Sequence, residues 1–133
     1  MIFVDSSFWI GFGMAPDNDH AAALAVFDAY DTSPLVTSNL VRGETWTFLR
    51  RRSGHDAAID FLDRLEGAAR VEVVRISREL EDEALSWLRR HDEREYSFVD
   101  ATSFALMRSL RIREAFAFDG DFTAAGFVEL RPA

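Results

Sequence analysis

The sequence predicts a three-layer α/β/α protein, in which helices cover both faces of a central parallel sheet of four to five strands. Short apolar runs alternate along the chain with amphipathic segments, and capping residues or glycines separate the two. No apolar run approaches the roughly 20 residues that would cross a bilayer. About half of the 133 residues are hydrophobic, so we expect residues 1–133 to bury a core and form a single domain. The first ten residues, MIFVDSSFWI, lack the basic and long apolar regions of a signal peptide. We therefore expect the protein in the cytoplasm and away from membranes.

The strands are predicted from short apolar runs that end at turn or capping residues. The clearest is the run at 71–76, which is rich in valine. We expect the strands at residues 1–4, 34–37, 71–76, 115–118 and 127–130. In a parallel sheet of this kind, ligands bind beyond the carboxyl ends of the strands.

The helices are predicted from apolar residues at helical spacing and from serine caps. Pro16–Asp19 should break the first helical stretch, which contains Phe8 and Phe12, and start the next one. Ser38 or Asn39 should cap the third helix. The later helices are expected at residues 19–30, 39–52, 55–66, 78–90 and 97–111.

Two absences limit the chemistry. The chain has no cysteine, which excludes disulfides, thiolate nucleophiles and cysteine-ligated zinc. It also has no lysine, since all 15 basic residues are arginine, and this excludes Schiff-base catalysis and a P-loop. The formal net charge of −8 should repel nucleic acid, so a nucleic-acid enzyme of this composition would need metal ions or local arginine patches, whereas a basic protein partner would suit it.

Four acids stand in apolar surroundings: Asp5, Glu44, Asp100 and Asp119. Burying lone carboxylates is costly, and a converging group of them is commonly held by a hard divalent cation with oxygen ligands. Mg²⁺, or alternatively Mn²⁺, fits such a site, and its natural reaction is phosphodiester hydrolysis through a metal-activated water. Each acid also has a purely structural alternative, namely a helix cap, an exposed helix position, a helical first turn and a simple turn, respectively.

In this order the four segments resemble the PIN-domain family, and more narrowly its VapC toxins. The resemblance is carried by residues 1–7 (MIFVDSS), 37–44 (TSNLVRGE), 97–101 (SFVDA) and 116–122 (FAFDGDF), and it runs over the whole chain.

The resemblance implies that Asp5 and Asp100 are the principal metal ligands and that Glu44 and Asp119 complete the acidic site. It further implies that Asp121 is an outer member and that Ser6 supports the site by hydrogen bonding. The family activity is Mg²⁺-dependent endoribonuclease cleavage of RNA. VapC-like members are silenced by a cognate antitoxin and are commonly homodimers.

Other functions are possible on a similar sheet. A HAD-type phosphatase requires Asp-x-Asp after the first strand, where this chain has Asp5-Ser6-Ser7, and a receiver domain requires a lysine. A PIN-type nuclease of RNA processing that is not a toxin remains an alternative. A catalytically silent PIN-like binding module is another, although it would be expected to have lost one or more of the four acids.

Overall fold

The structure, a computed structural model, describes residues 1–13 and 18–132. Its elements alternate along the chain as β1 (Ile2–Val4), α1 (Ser6–Gly13), α2 (His20–Ala29), β2 (Leu35–Ser38), α3 (Asn39–Ser53), α4 (His55–Gly67), β3 (Val71–Val74), α5 (Arg78–Arg90), α6 (Phe98–Leu110), β4 (Glu114–Phe116), α7 (Asp121–Ala124) and β5 (Val128–Glu129). The helix break predicted at Pro16 and Asp17 lies outside the described residues.

The strands form a five-stranded parallel sheet in the order β3-β2-β1-β4-β5. Strand β1 is central, and Phe3 pairs with Val36 of β2 on one side and with Ala115 of β4 on the other. Because the strands are parallel, the residues that follow β1 and β4 emerge at the same edge of the sheet.

Two hydrophobic cores lie on the two faces of this sheet. Successive residues of a strand face opposite sides, and accordingly Phe3 belongs to the core beneath α5 and α6, whereas Ile2 and Val4 belong to the core beneath α1 and α2. Aromatic rings fill both cores, with Phe104 packed on Phe122 in the first and Phe8 packed on Phe116 in the second. The predicted α/β/α class and parallel sheet are therefore confirmed.

Serine caps start three of the helices as expected. Ser38 accepts a hydrogen bond from the Val41 amide, Ser77 from Leu80 and Ser97 from Asp100. Ser38 is thus the N-cap of α3, and Asn39 is its first residue.

Four strands are shorter than predicted, two of them for a reason that the structure shows, and one short helix was not predicted. The predicted strand 71–76 ends at Val74, because the Ile76 amide turns to bond the Asn39 side chain (2.8 Å). The predicted strand 115–118 spans residues 114–116, because the Phe118 amide bonds the Ser7 hydroxyl instead of a neighbouring strand. Helix α7 has four residues, too few to produce a periodic pattern.

Candidate active site

Asp5 is the residue that follows the central strand. Its amide donates to the Phe116 carbonyl at 3.0 Å, which continues the pairing of β1 with β4 by one residue. Its carboxylate Oδ2 accepts from the Ser7 amide (3.2 Å) and the Ser7 hydroxyl (2.8 Å), as a helix cap would. Asp5 is only 1% exposed, so this carboxyl is buried at the edge where ligands are expected.

Ser7 links the ends of β1 and β4. Its hydroxyl donates to Asp5 and accepts from the Phe118 amide at 3.0 Å. Sequence reasoning missed Ser7, because its second partner is 111 residues away in the chain. The signal that could have found it is its place two residues after an aspartate that caps a helix.

Asp100 lies in the first turn of α6 and forms a capping box with Ser97. The Asp100 amide donates to Ser97 Oγ, and the Ser97 amide donates to Asp100 Oδ2, both at 3.0 Å. Asp100 is 7% exposed. The capping box fixes one carboxylate oxygen and thereby sets the direction of the side chain.

Asp119 and Asp121 belong to the turn between β4 and α7. The Asp121 amide donates to Asp119 Oδ1 at 3.1 Å, and Gly120 between them has a φ of +84°, a conformation that favours glycine. Carboxylate oxygens of Asp100, Asp119 and Asp121 lie within 4.8 Å of one another. We call these three residues the acidic cluster.

The pKa values show that Asp5 belongs electrostatically with the acidic cluster. Burial, followed by the charges of Asp119 and Asp100, raises the pKa of Asp5 from 3.8 to about 8. Burial and the charges of Asp121 and Asp119 raise the pKa of Asp100 to about 7, although its contacts with Ser97 act in the opposite direction. The pKa of Asp119 is also raised, first by desolvation and then by Asp121 and Glu129.

Glu44 approaches the site from α3. It is half-buried, and its Oε2 accepts from the Ser6 hydroxyl at 2.7 Å. Ser6 adjoins Asp5, so Glu44 is tied to the start of α1. Within the described part of the chain, the carboxylates that come within 4.8 Å of one another as a group of three are those of the acidic cluster, and Glu44 and Asp5 lie outside this group.

Arg94 is a second residue that sequence reasoning missed. It lies in the loop between α5 and α6, and its Nε donates to Asp121 Oδ1 at 2.5 Å. Its Nη2 donates to the Asp119 carbonyl at 3.0 Å. Arg94 and Asp121 are 27 residues apart in the sequence, so no local sequence pattern predicts their contact.

This donor set suits a hard divalent cation. The cluster offers carboxylate oxygens alone, which are the ligands that Mg²⁺, Mn²⁺ and Ca²⁺ prefer. Burial first, and then the neighbouring carboxylates, raise the pKa values of Asp5 and Asp100, so their ionised forms are disfavoured without a counter-charge. A bound cation would supply that compensation and keep the carboxylates ionised.

Comparison with known proteins identifies the fold family. The family model described as the PIN domain matches residues 2–128. The chain belongs to the PIN-domain family. The resemblance seen in the four sequence motifs is therefore confirmed.

Individual PIN-domain relatives are similar over their full length. The 23S rRNA-specific endonuclease VapC20 from two strains of Mycobacterium tuberculosis, CDC 1551 / Oshkosh and ATCC 25618 / H37Rv, is 56% identical over 133 residues, with 99% of both chains covered. A crystal structure of Mycobacterium tuberculosis VapC20, described as a sarcin-ricin loop cleaving toxin, matches this PIN domain with a TM-score of 0.93 at 52% identity. The match covers 99% of this chain and 100% of that one.

The described helices of this PIN domain are all too short or too polar to cross a membrane.

Proposed function

We propose that this protein is a metal-dependent endoribonuclease and the toxin of a VapBC-like toxin–antitoxin pair, in which residues 1–133 form one PIN domain. The observation that carries the proposal is the acidic cluster, at the carboxyl edge of the sheet, in a chain 56% identical to VapC20. Identity over the whole length to a toxin favours this role over an RNA-processing nuclease. The presence of all four acids argues against a silent binding module.

The proposed substrate is the sarcin-ricin loop of 23S rRNA, the target in the names of the VapC20 relatives. An acidic protein with a net charge of −8 repels RNA, so the phosphate has to be brought in locally. Mg²⁺ or Mn²⁺ in the acidic pocket would offset this repulsion and would supply the Lewis acid for phosphodiester hydrolysis.

The residues of the site divide into two groups in this proposal. Asp5, Asp100, Asp119 and Asp121 would hold the ion, because their carboxyl groups raise one another's pKa values or share the acidic cluster. Glu44 would complete the acidic site from α3. Ser6 would orient Glu44 through its hydrogen bond, and Ser7 orients Asp5 through two more.

An antitoxin is the proposed protein partner. An apolar groove of about 430 Å³ lies among α1, α2 and α4 and is lined by aromatic and aliphatic side chains, among them Trp9, Phe12, Phe27, Phe61 and Leu65. Such a groove suits an amphipathic segment of another protein. The net negative charge of the chain favours a basic one.

A homodimer in the cytoplasm is the proposed working form. Leu40, Phe48 and Val99 line an open groove on α3 and α6 together with Glu44. Covering these apolar side chains with a second copy would remove them from water and would bring the partner close to the site. Light scattering of the purified protein checks this, since a dimer has twice the monomer mass.

Cleavage of a defined RNA tests the enzyme proposal. An RNA hairpin with the sarcin-ricin sequence should be cut at one position when Mg²⁺ or Mn²⁺ is present. Asp100→Asn should reduce the rate by at least about 100-fold, because even partners of metal ligands commonly contribute 10–100-fold. Asp60→Asn on the exposed face of α4 is the matched control.

Two outcomes would contradict the proposal separately. Undiminished cleavage by a folded Asp100→Asn protein would remove the acidic cluster from the reaction. Metal-dependent cleavage of RNA without growth arrest on expression of the wild-type protein would retain the nuclease but exclude the toxin role.

A further inference from the structure

Arg94 lies between the start of α6, which carries Asp100, and the Asp119–Asp121 turn after β4. The loop that carries it joins the end of α5 at Arg90 to the start of α6 at Phe98, and it also contains Ser97, the cap that orients Asp100. The Arg94 side chain extends from this loop to the turn after β4. One residue thereby connects the segment of Asp100 with the segment of Asp119 and Asp121.

The contact of Arg94 with this turn is made at two points. Nε bonds a side-chain oxygen of Asp121, and Nη2 bonds the backbone carbonyl of Asp119. The guanidinium is a planar fork with fixed donor directions, so a two-point contact restrains orientation as well as distance. A Cβ at Gly120 would lie 3.1 Å from Nη2, so the guanidinium lies directly against the turn.

Glu129 holds the same turn through other atoms. Its carboxylate accepts from the Gly120 amide (3.3 Å) and the Thr123 amide (3.0 Å), and its side chain is only 3% exposed. Glu129 also adds negative charge near Asp119. Arg94 therefore adds a positive charge and a second restraint to a turn that three acids, Asp119, Asp121 and Glu129, surround.

We propose that Arg94 is a positioning residue of the metal site, which holds the Asp119–Asp121 turn in the conformation that binds the ion and acts through Asp121. This inference rests on the proposed function, since it takes the acidic cluster to be the metal site. The Arg94 side chain bonds only one of the two oxygens of this carboxylate, Asp121 Oδ1. An ion would then meet ligands that are already oriented.

A simple counter-charge is the competing interpretation, and it predicts the opposite result. A fixed positive charge near the pocket repels a cation, so its removal should strengthen metal binding. Loss of a restraint on two ligands should weaken metal binding, because the ion then has to order these side chains and part of the binding free energy is lost to their conformational entropy.

Titration with Mn²⁺ alone distinguishes the two. Arg94→Gln should raise the Mn²⁺ dissociation constant by about 10-fold or more, as loss of groups that orient metal ligands commonly does. Arg94→Lys keeps the charge but loses the fork, and it should weaken binding to a smaller extent. Arg64→Gln, which breaks an exposed ion pair with Asp60 on α4, is the matched control and should bind Mn²⁺ as the wild type does.

A second titration tests whether Arg94 acts through Asp121. In the Asp121→Ala background, Arg94→Gln should cause little further weakening, since the side-chain contact is already lost. Melting temperatures measured in the presence of a chelator establish that each variant is folded. If Arg94→Gln is not folded, the Mn²⁺ affinity of Arg94→Lys tests the positioning role instead.

Unchanged or tighter Mn²⁺ binding in the Arg94 variants would overturn the inference while leaving the proposed function intact. Full, additive weakening in the Asp121→Ala background would also overturn it. Absence of Mn²⁺ binding to the wild-type protein would instead overturn the proposed function, on which the inference rests.

Discussion

Replacement of Asp5 by asparagine should stabilise the metal-free protein, and the gain should grow with pH. Asp5 is 1% exposed and has a pKa of about 8 in the folded protein, against 3.8 without the fold. Between these values the folded state retains a proton that the unfolded state has released. The free energy of unfolding therefore falls as pH rises through this window, and full stability from this group is present only below about pH 4.

The size of the effect follows from the pKa difference. A single proton that the folded state retains and the unfolded state releases changes the free energy of unfolding by at most about 1.4 kcal/mol per pH unit. Between about pH 5 and pH 7, Asp5→Asn should therefore gain roughly 2 to 3 kcal/mol relative to the wild type. Asparagine keeps an oxygen that can accept from Ser7, so the cap on α1 is retained.

Urea unfolding in the presence of EDTA measures this difference. The free energies of unfolding of the wild type and of Asp5→Asn are compared at several pH values between about 4 and 8. Asp60→Asn, an exposed position of α4, is the control. A difference between Asp5→Asn and the wild type that does not change with pH would refute the reasoning, because the buried carboxyl would then not retain its proton.

Three further predictions concern the same edge of the sheet. Mn²⁺ at about 100 times its dissociation constant should stabilise the wild type by about 2.7 kcal/mol in thermal unfolding at neutral pH, and the absence of any shift would contradict a metal site. Ser7→Ala should cost about 1 to 3 kcal/mol in urea unfolding, because the Phe118 amide and the Asp5 carboxyl lose a partner, whereas an unchanged stability would show that water replaces the hydroxyl. Gly120→Ala should destabilise by about 1 kcal/mol, because φ is +84° and Arg94 lies 3.1 Å from the added Cβ. A melting temperature equal to that of the wild type would exclude this strain.

The sequence was sufficient for the elements whose signals are local. Helices α3, α5 and α6 begin where serine caps precede apolar periodicity, and β1 and β3 begin within a residue of the predicted positions. These signals depend on neighbouring residues, so they can be read without knowledge of the fold.

The sequence was insufficient where distant partners decide. Strand β3 ends early because the Ile76 amide finds the Asn39 side chain, 37 residues away. Ser7 and Arg94 were not predicted as site residues for the same reason, since their partners lie on distant segments of the chain. The acids were identified because a carboxylate in apolar surroundings is unusual in itself.

In the proposed metal site, structural and chemical roles coincide in single residues. Asp5 caps α1 and Asp100 completes a capping box, so the structural alternatives weighed for these acids describe actual contacts. The roles are compatible because a carboxylate has two oxygens. A cap at one oxygen restrains the direction of the other.

The strand order has a consequence for synthesis of the chain. Strand β4, which pairs with the central β1, is synthesised after β1, β2 and β3, and the Asp119–Asp121 turn follows it. A nascent chain that has already exposed Asp5 and Glu44 therefore lacks β4, one of the two neighbours of β1, and two members of the acidic cluster. In the proposed function, hydrolysis of rRNA requires the Asp119–Asp121 turn, so a nascent chain that still lacks this turn would spare the ribosome that translates it.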